Sequence, residues 1–219
     1  MKRFNDDLST LHTLCAEQAI EIDPIMLHQL VHYGNCLEQW NRKINLISRK
    51  EDAPVIIKHI FHSLLITLYH SFRKGEQVLD LGTGGGLPGI PLAIVCQQTQ
   101  FLLVDATGKK IVACQEMIKE IGINNAVAIH TRVEELKGVA FDTILSRQVA
   151  SLDKLCAYSS RLLKPHGTMI CLKGGNLEAE IAKTLSLSKN KNGFPSSIEQ
   201  HPINGISPFF SEKEIVIVR

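Results

Sequence analysis

At 219 residues the chain has room for one sizeable domain plus an extension, or two small domains, and a net charge of only +2 excludes nucleic-acid binding by a uniformly basic surface. Its 44% hydrophobic and 21% charged residues are ordinary for a globular protein with a full core. The longest apolar runs fall far short of a membrane span and the opening Met1–Asp7 lacks the apolar centre of a signal peptide, so a cytoplasmic protein is expected. The six cysteines include no C-x-x-C pair and mostly sit within apolar patterns, which suits reduced core residues rather than disulfides or a zinc site.

In chain order, residues 1–74 read as a helical region without a convincing strand. Leu8, Leu11, Leu14 and Cys15 keep helical spacing, and Asp23-Pro24 makes an N-cap and first turn for a second helix. His28 and His32 are four apart on that helix, a spacing that could ligate metal, but no acidic or cysteine partner accompanies them, so surface or half-buried histidines and no metal are expected. The segment from Trp40 to Lys50 sets Arg42, Lys43, Arg49 and Lys50 close to the only tryptophan. Such charge suits phosphate contacts, and Arg42, Lys43, Asn45 and Arg49 are candidates for contacting RNA, while Trp40 is assigned to the core. A third helix follows Pro54; His59, His62 and Ser63 on it are equally compatible with structural and site roles.

From Gly75 onward strands and helices alternate, so residues 75–219 are expected to form a second, Rossmann-like unit with a mainly parallel sheet covered on both faces. Strands are expected at Gln77–Leu81, Phe101–Asp105, Ala126–Thr131, Phe141–Ser146, Thr168–Leu172 and Glu214–Val218. Helices are expected at Pro88–Gln97, Gly108–Ile121, Ser151–Leu163 and 176–186, with a turn at Pro165-His166-Gly167.

The stretch Asp80-Leu81-Gly82-Thr83-Gly84-Gly85-Gly86-Leu87-Pro88-Gly89-Ile90-Pro91 organises this half. Gly82, Gly84 and Gly86 permit positive φ and close approach of a ligand to the backbone, and a helix starting near Pro88 would aim free amides at the loop. Gly84 to Gly89 also satisfies the dinucleotide pattern G-x-G-x-x-G, a weak signal alone. Asp80 favours a cationic ligand, because a carboxylate there would repel a pyrophosphate but attract the ammonium and sulfonium of S-adenosylmethionine. Asp105, ending the second strand roughly 20 residues past the loop, is placed to accept from ribose hydroxyls. Ligands in such sheets bind beyond the carboxyl ends of the strands, which adds Leu87, Val133, Glu134, Arg147 and Lys173. A main-chain amide near Val133 or Glu134 would read the adenine edge, with the alternative that the acids merely start a short helix.

Trp40-Asn41, Asn45-Leu46, His59-Ile60, the stretch from Asp80 to Leu92, Arg132-Val133-Glu134-Glu135, Ser146-Arg147 and Leu172-Lys173-Gly174 occur in an order that resembles the bacterial 16S ribosomal RNA guanine-N7 methyltransferases, the glucose-inhibited division protein B family. The resemblance covers about residues 25–175. It implies a class I S-adenosylmethionine-dependent methyltransferase fold, with a seven-stranded sheet and an N-terminal helical extension, acting on a guanosine of small-subunit rRNA. By matched motif positions it implies Gly82, Leu87, Val133, Glu134 and Arg147 as cofactor or site residues. The family often has an acid where this chain has His62 and a proline where it has Gly85, the latter expected only to loosen the loop.

The residue inventory agrees. Guanine N7 carries a lone pair and no proton, so it accepts a methyl group without a general base, and catalysis rests on alignment and electrostatics. Ser146-Arg147-Gln148-Val149 lacks the Asn/Asp-Pro-Pro-aromatic motif of exocyclic-amine methylation, and no Pro-Cys pair serves cytosine C5 methylation. Ribose methylation with Lys173 as base stays open. Arg147 is the expected catalytic residue, positioning a phosphate or guanine O6 together with Lys173 or the basic run. The expected partner is 16S rRNA or the small-subunit particle, bound by a monomer. The alternatives are methylation of another RNA position, a nicotinamide-dependent oxidoreductase and a non-catalytic binder.

Overall fold

The computed structural model describes residues 2–48, 54–190 and 193–219. Arg49 and Lys50 of the basic run lie outside these described residues. Helix α1 spans Lys2–Glu17 and α2 spans Pro24–Lys43; Asp23 caps α2 by accepting from the Met26 amide at 2.8 Å, as the Asp-Pro pair predicts. The third helical stretch, α3, is irregular: a π-helical segment Ile56–Phe61, an α-helical turn His62–Leu64 and a 3₁₀ turn Leu65–Leu68. A π-segment shifts side-chain phase relative to an α-helix, and such segments cluster at functional sites.

Strands β1 (Gln77–Leu81), β2 (Gln100–Asp105), β3 (Ala126–His130), β4 (Phe141–Arg147), β5 (Leu163–Gly174), β6 (Ile198–Pro202) and β7 (Lys213–Val218) form one sheet of order β3-β2-β1-β4-β5-β7-β6. Only β7 runs against its neighbours. Helices α4 (Gly89–Val95), α5 (Gly108–Ile121), α6 (Leu152–Ser159) and α7 (Glu178–Asn190) connect the strands. One core cluster joins α1, α2 and α3 to α4, α5 and a sheet face through Leu30, Leu37, Phe61, Leu64, Ile90, Leu103 and Met117. A second, around Leu79, Ile144, Leu155 and Val216, lies on the other face under α6 and α7.

Three local expectations need correction. Strand β6, Ile-Glu-Gln-His-Pro, carries no apolar alternation because it is an edge strand with one neighbour, so its sequence shows no buried face. The turn at Pro165-His166-Gly167 lies inside β5 as an irregularity: partners jump from Phe141↔Leu163 to Thr143↔Thr168, with His166 at φ 64°. Helix α6 stops at Ser159, four residues short of the expected end.

The order reverses between β1 and β4: β1 leads out to β2 on one side, and β4 flanks it on the other. That switch point opens a crevice at the carboxyl ends of β1, β2 and β4.

Candidate active site

A cleft of about 730 Å³ lies over this switch point. Gly82–Gly85 and Leu87 form its floor, Asp105, Ala106 and Lys110 one side, and Arg147, Gln148 and Val149 the other. The helical region supplies the remaining wall through Asn45–Ser48 and His59. This wall is held by Asn41, whose side-chain oxygen accepts from the Leu46 and Ile47 amides at 2.8 and 3.0 Å. Leu46 then lies against the glycine loop, where a Cβ on Gly85 would come within 3.2 Å of Leu46 Cβ and 2.6 Å of Leu37 Cδ1. A bare backbone at Gly85 thus lets the wall close onto the loop.

The loop's amides are mostly committed. Gly82 and Thr83 donate to Val104 O, Gly86 and Leu87 to Thr83 O, and Gly84 to Asp105 Oδ2. The start of α4 is committed too: Gly89 donates to Asp80 Oδ2 at 2.9 Å, Ile90 to Gly86 O, Leu92 to Pro88 O, and Pro91 has no N–H. This overturns the expectation of free amides aimed at the loop. Asp80, sitting beneath α4 at zero exposure, takes the first of them. A phosphate cradle needs donors that remain available, so the geometry disfavours a pyrophosphate.

Asp80 is therefore behind the loop and absent from the cleft lining. Burial pushes its carboxyl up to about 6, against the hydrogen bonds from Thr83 Oγ1 and the Gly89 amide; its Oδ1 has no partner. Asp105 does reach the cleft. Its two oxygens accept from the Gly84 and Thr107 amides at 3.1 and 2.8 Å, with Lys110 Nζ 3.9 Å away. Each carboxylate oxygen carries two lone pairs, so capacity remains for hydroxyl donors.

Arg147 closes the opposite side. Its guanidinium contacts Nδ1 of His59, which is 3% exposed. Burial, then the Arg147 charge, hold His59 down to about 2, so the ring is neutral, accepts at Nδ1 and carries its proton on Nε2. Behind it His62 stacks on Phe210 at 5.0 Å between centroids and is likewise held down to about 3, by burial first and Arg147 second; its Nε2 is buried without a partner. After Arg147 the chain turns through Gln148 at φ 52°, returning Val149 over Gly82, where a Cβ would meet Val149 Cγ2 at 2.5 Å.

The model of the family described as rRNA small subunit methyltransferase G (GidB) matches residues 26–204. The chain is 74% identical to the ribosomal RNA small subunit methyltransferase G of Pelodictyon phaeoclathratiforme over 100% of its own length and 96% of that protein. It is 36% identical to the protein of the same name from Francisella tularensis subsp. novicida, over 99% and 96% of the two lengths. The chain belongs to this family. Among solved structures, a SAM-dependent methyltransferase from Aquifex aeolicus superposes with a TM-score of 0.56 at 12% identity, covering 84% of this chain and 97% of that one. The T. thermophilus 16S rRNA N2 G1207 methyltransferase, solved with AdoMet and guanosine, gives 0.51 at 16% identity over 91% and 43%. At such identities these two support the fold, a class I methyltransferase sheet.

Of the residues expected at the site, the structure gathers Gly82, Gly84, Leu87, Asp105, Asn45 and Arg147 around one cleft. Gly86, at φ 97°, shapes the loop from below, its absent Cβ leaving room for Ile90. Val133 and Glu134 form a 3₁₀ turn after β3 outside the cleft lining, with the Val133 carbonyl taken by Arg161. Arg42 and Lys43 are exposed at the end of α2, with Lys43 Nζ 4.9 Å from the Trp40 ring centroid. Lys173 is not brought to the cleft: its ammonium pairs with Glu180 and donates to Ala150 O at 3.1 Å. A side chain so engaged is a poor general base, which weighs against the ribose-methylation alternative that the sequence leaves open through Lys173. Sequence reasoning left His59 undecided, because what assigns it is contact with Arg147, 88 positions away.

Proposed function

We propose that this chain transfers a methyl group from S-adenosylmethionine to N7 of a guanosine in 16S rRNA of the small ribosomal subunit. The observation that carries the choice of N7 is the chemistry of the cleft. Among its described lining residues the titratable groups are His59, Asp105, Lys110 and Arg147. His59, held down to about 2 and accepting at Nδ1, is too weak a base to deprotonate an amine or a ribose hydroxyl. No cysteine lines the cleft among these residues. Guanine N7 needs neither a base nor a nucleophile, since its lone pair takes the methyl directly and no proton moves.

The bound donor supplies a methyl group activated by a sulfonium charge. Asp105 retains lone pairs for the ribose hydroxyls of its adenosine. Gly84 and Gly85 offer a floor without side chains, and Asp80 adds negative potential from beneath the loop. Val133 and Glu134 follow β3, next to β2, and their part in the proposal is a main-chain contact with the adenine. Arg147, oriented by neutral His59, is the catalytic group: it holds guanine O6 or an adjacent phosphate so that N7 meets the methyl in line. Asn45, in the cleft wall, and the exposed Arg42 and Lys43 at the end of α2 extend the RNA contact.

The test is methyl transfer by the purified protein to small subunits from a strain lacking the enzyme, followed by reduction and aniline cleavage, which breaks RNA at N7-methylguanosine. One aniline-sensitive site is expected. Incorporation without cleavage would refute N7, and tight nicotinamide dinucleotide binding without incorporation would refute the methyltransferase reading.

A further inference from the structure

On the joint between α2 and α5, away from the cleft, three metal-ligating side chains converge. His32 and Cys36 are four apart and share one face of α2, while Glu120 comes from the last turn of α5. Glu120 Oε1 lies 3.0 Å from His32 Nε2 and 3.4 Å from Cys36 Sγ, and all three donor atoms fall within 4.8 Å of one another. In a tetrahedral zinc site, bond lengths of about 2.0–2.3 Å put neighbouring donor atoms roughly 3.3–3.6 Å apart. The two Glu120 spacings lie within a few tenths of an ångström of those of a zinc tetrahedron, and rotation of the exposed His32 and Glu120 side chains adjusts the remaining separation around the buried Cys36 thiol.

We propose that His32, Cys36 and Glu120 bind a zinc ion that clips α2 to α5. The mixed nitrogen, sulfur and oxygen set selects a borderline metal; magnesium and calcium require mostly oxygen donors. Cys36 approaches from the buried side, while the His32 and Glu120 side chains are 44% and 56% exposed, leaving the fourth vertex open to solvent for a water. Binding displaces the thiol proton of Cys36 to solvent, with no change of oxidation state. The metal joins the N-terminal helices to the sheet layer, reinforcing the Gln29 side-chain bond to Ile121 O at 3.2 Å. The assignment is independent of the methyl-transfer reading, because none of the three residues lines the cleft.

The experiment uses the full, untagged, metal-stripped chain. Zinc affinity is measured by competition with a chromophoric chelator, cobalt is added as a spectroscopic probe, and thermal melts are recorded with and without zinc. One zinc per chain is expected, with a thiolate-to-cobalt charge-transfer band and a saturable rise in Tm. His32→Ala and Cys36→Ala should each weaken binding by at least tenfold, and Cys36→Ala should abolish the band. His32 is partly exposed, so its variant reports even if Cys36→Ala folds poorly. Absence of stoichiometric zinc, absence of the cobalt band, or unchanged affinity in His32→Ala would each overturn the site, leaving a plain His32–Glu120 ion pair beside a thiol.

Discussion

Glu76, at the entrance to β1, and Asp80, inside the same strand, are both buried carboxylates, and the two ends of the strand treat them differently. Burial alone would raise Glu76, but His70 Nε2 at 2.8 Å, the Arg73 amide at 2.9 Å and Thr143 Oγ1 at 2.7 Å bring it down to about 2. Asp80 has Thr83 Oγ1 and the Gly89 amide on one oxygen and nothing on the other, and burial prevails, lifting it to about 6. The amino end of the sheet spends its polar groups on being satisfied. The carboxyl end keeps a poorly solvated charge beneath a loop that a cationic donor would approach. In a low-dielectric interior such a charge costs stability and strengthens its field at the cleft.

The sharpest break between the two ends is at Arg147. Arg147→Ala should lower methyl transfer by about 10²–10³-fold, as loss of a transition-state donor does, while calorimetry shows donor affinity changed by less than about tenfold. Retention of full transfer would remove its catalytic role. Next comes Gly89→Ala, whose Cβ would sit 2.6 Å from Asp80 Oδ2 and 3.1 Å from Leu103 Cγ. Urea denaturation should show a loss of about 2–3 kcal/mol, as overpacking does.

Glu76→Gln should cost about 2 kcal/mol at neutral pH, the worth of hydrogen bonds to a buried charge, without altering kcat. Because Glu76 is held below its ordinary value of 4.5, its contribution is present above that pH and is lost as pH falls through about 2. The gap between wild type and Glu76→Gln in urea melts should therefore close towards pH 2. Asp80 has the opposite sign: raised from 3.8 to about 6, its contribution is full below 3.8 and lost as pH rises through 6. Asp80→Asn should therefore gain on wild type across that interval while weakening donor binding; a variant that lost stability there would contradict the assignment. The smallest effect is expected at the exposed end of α2. Lys43→Ala should weaken RNA binding a few-fold and reduce the salt slope by about 1, measured by filter binding at several ionic strengths.

How much of this was legible beforehand depended on range. Strand β1 and helix α5 have the expected bounds, Gln77–Leu81 and Gly108–Ile121, because apolar runs and Gly122, in a left-handed C-cap at φ 76°, are local signals. Asp105 was placed by its distance from the loop and its strand-end position. Strand β6 was missed because pairing with β7 at a polar edge needs no hydrophobic pattern. Lys173 misled because its partner, Glu180, lies on α7, and sequence order says nothing about which charges meet. The sequence pairs His32 with His28 and counts Cys36 only among the apolar positions of the helix, so the cluster with Glu120, 88 positions beyond His32, shows only in the fold.

The chain by itself determined the alternation of strands and helices, the glycine turn and the acid that ends β2. Each follows from backbone preference and hydrophobic period over a few residues. Tertiary packing decided the rest: which loop amides are already bonded, why Asp80 lies beneath the loop, and how a π-turn of the helical region brings His59 against Arg147. Those outcomes are fixed by burial and by contacts between distant segments, and the energy of a buried charge depends on which partners folding delivers to it.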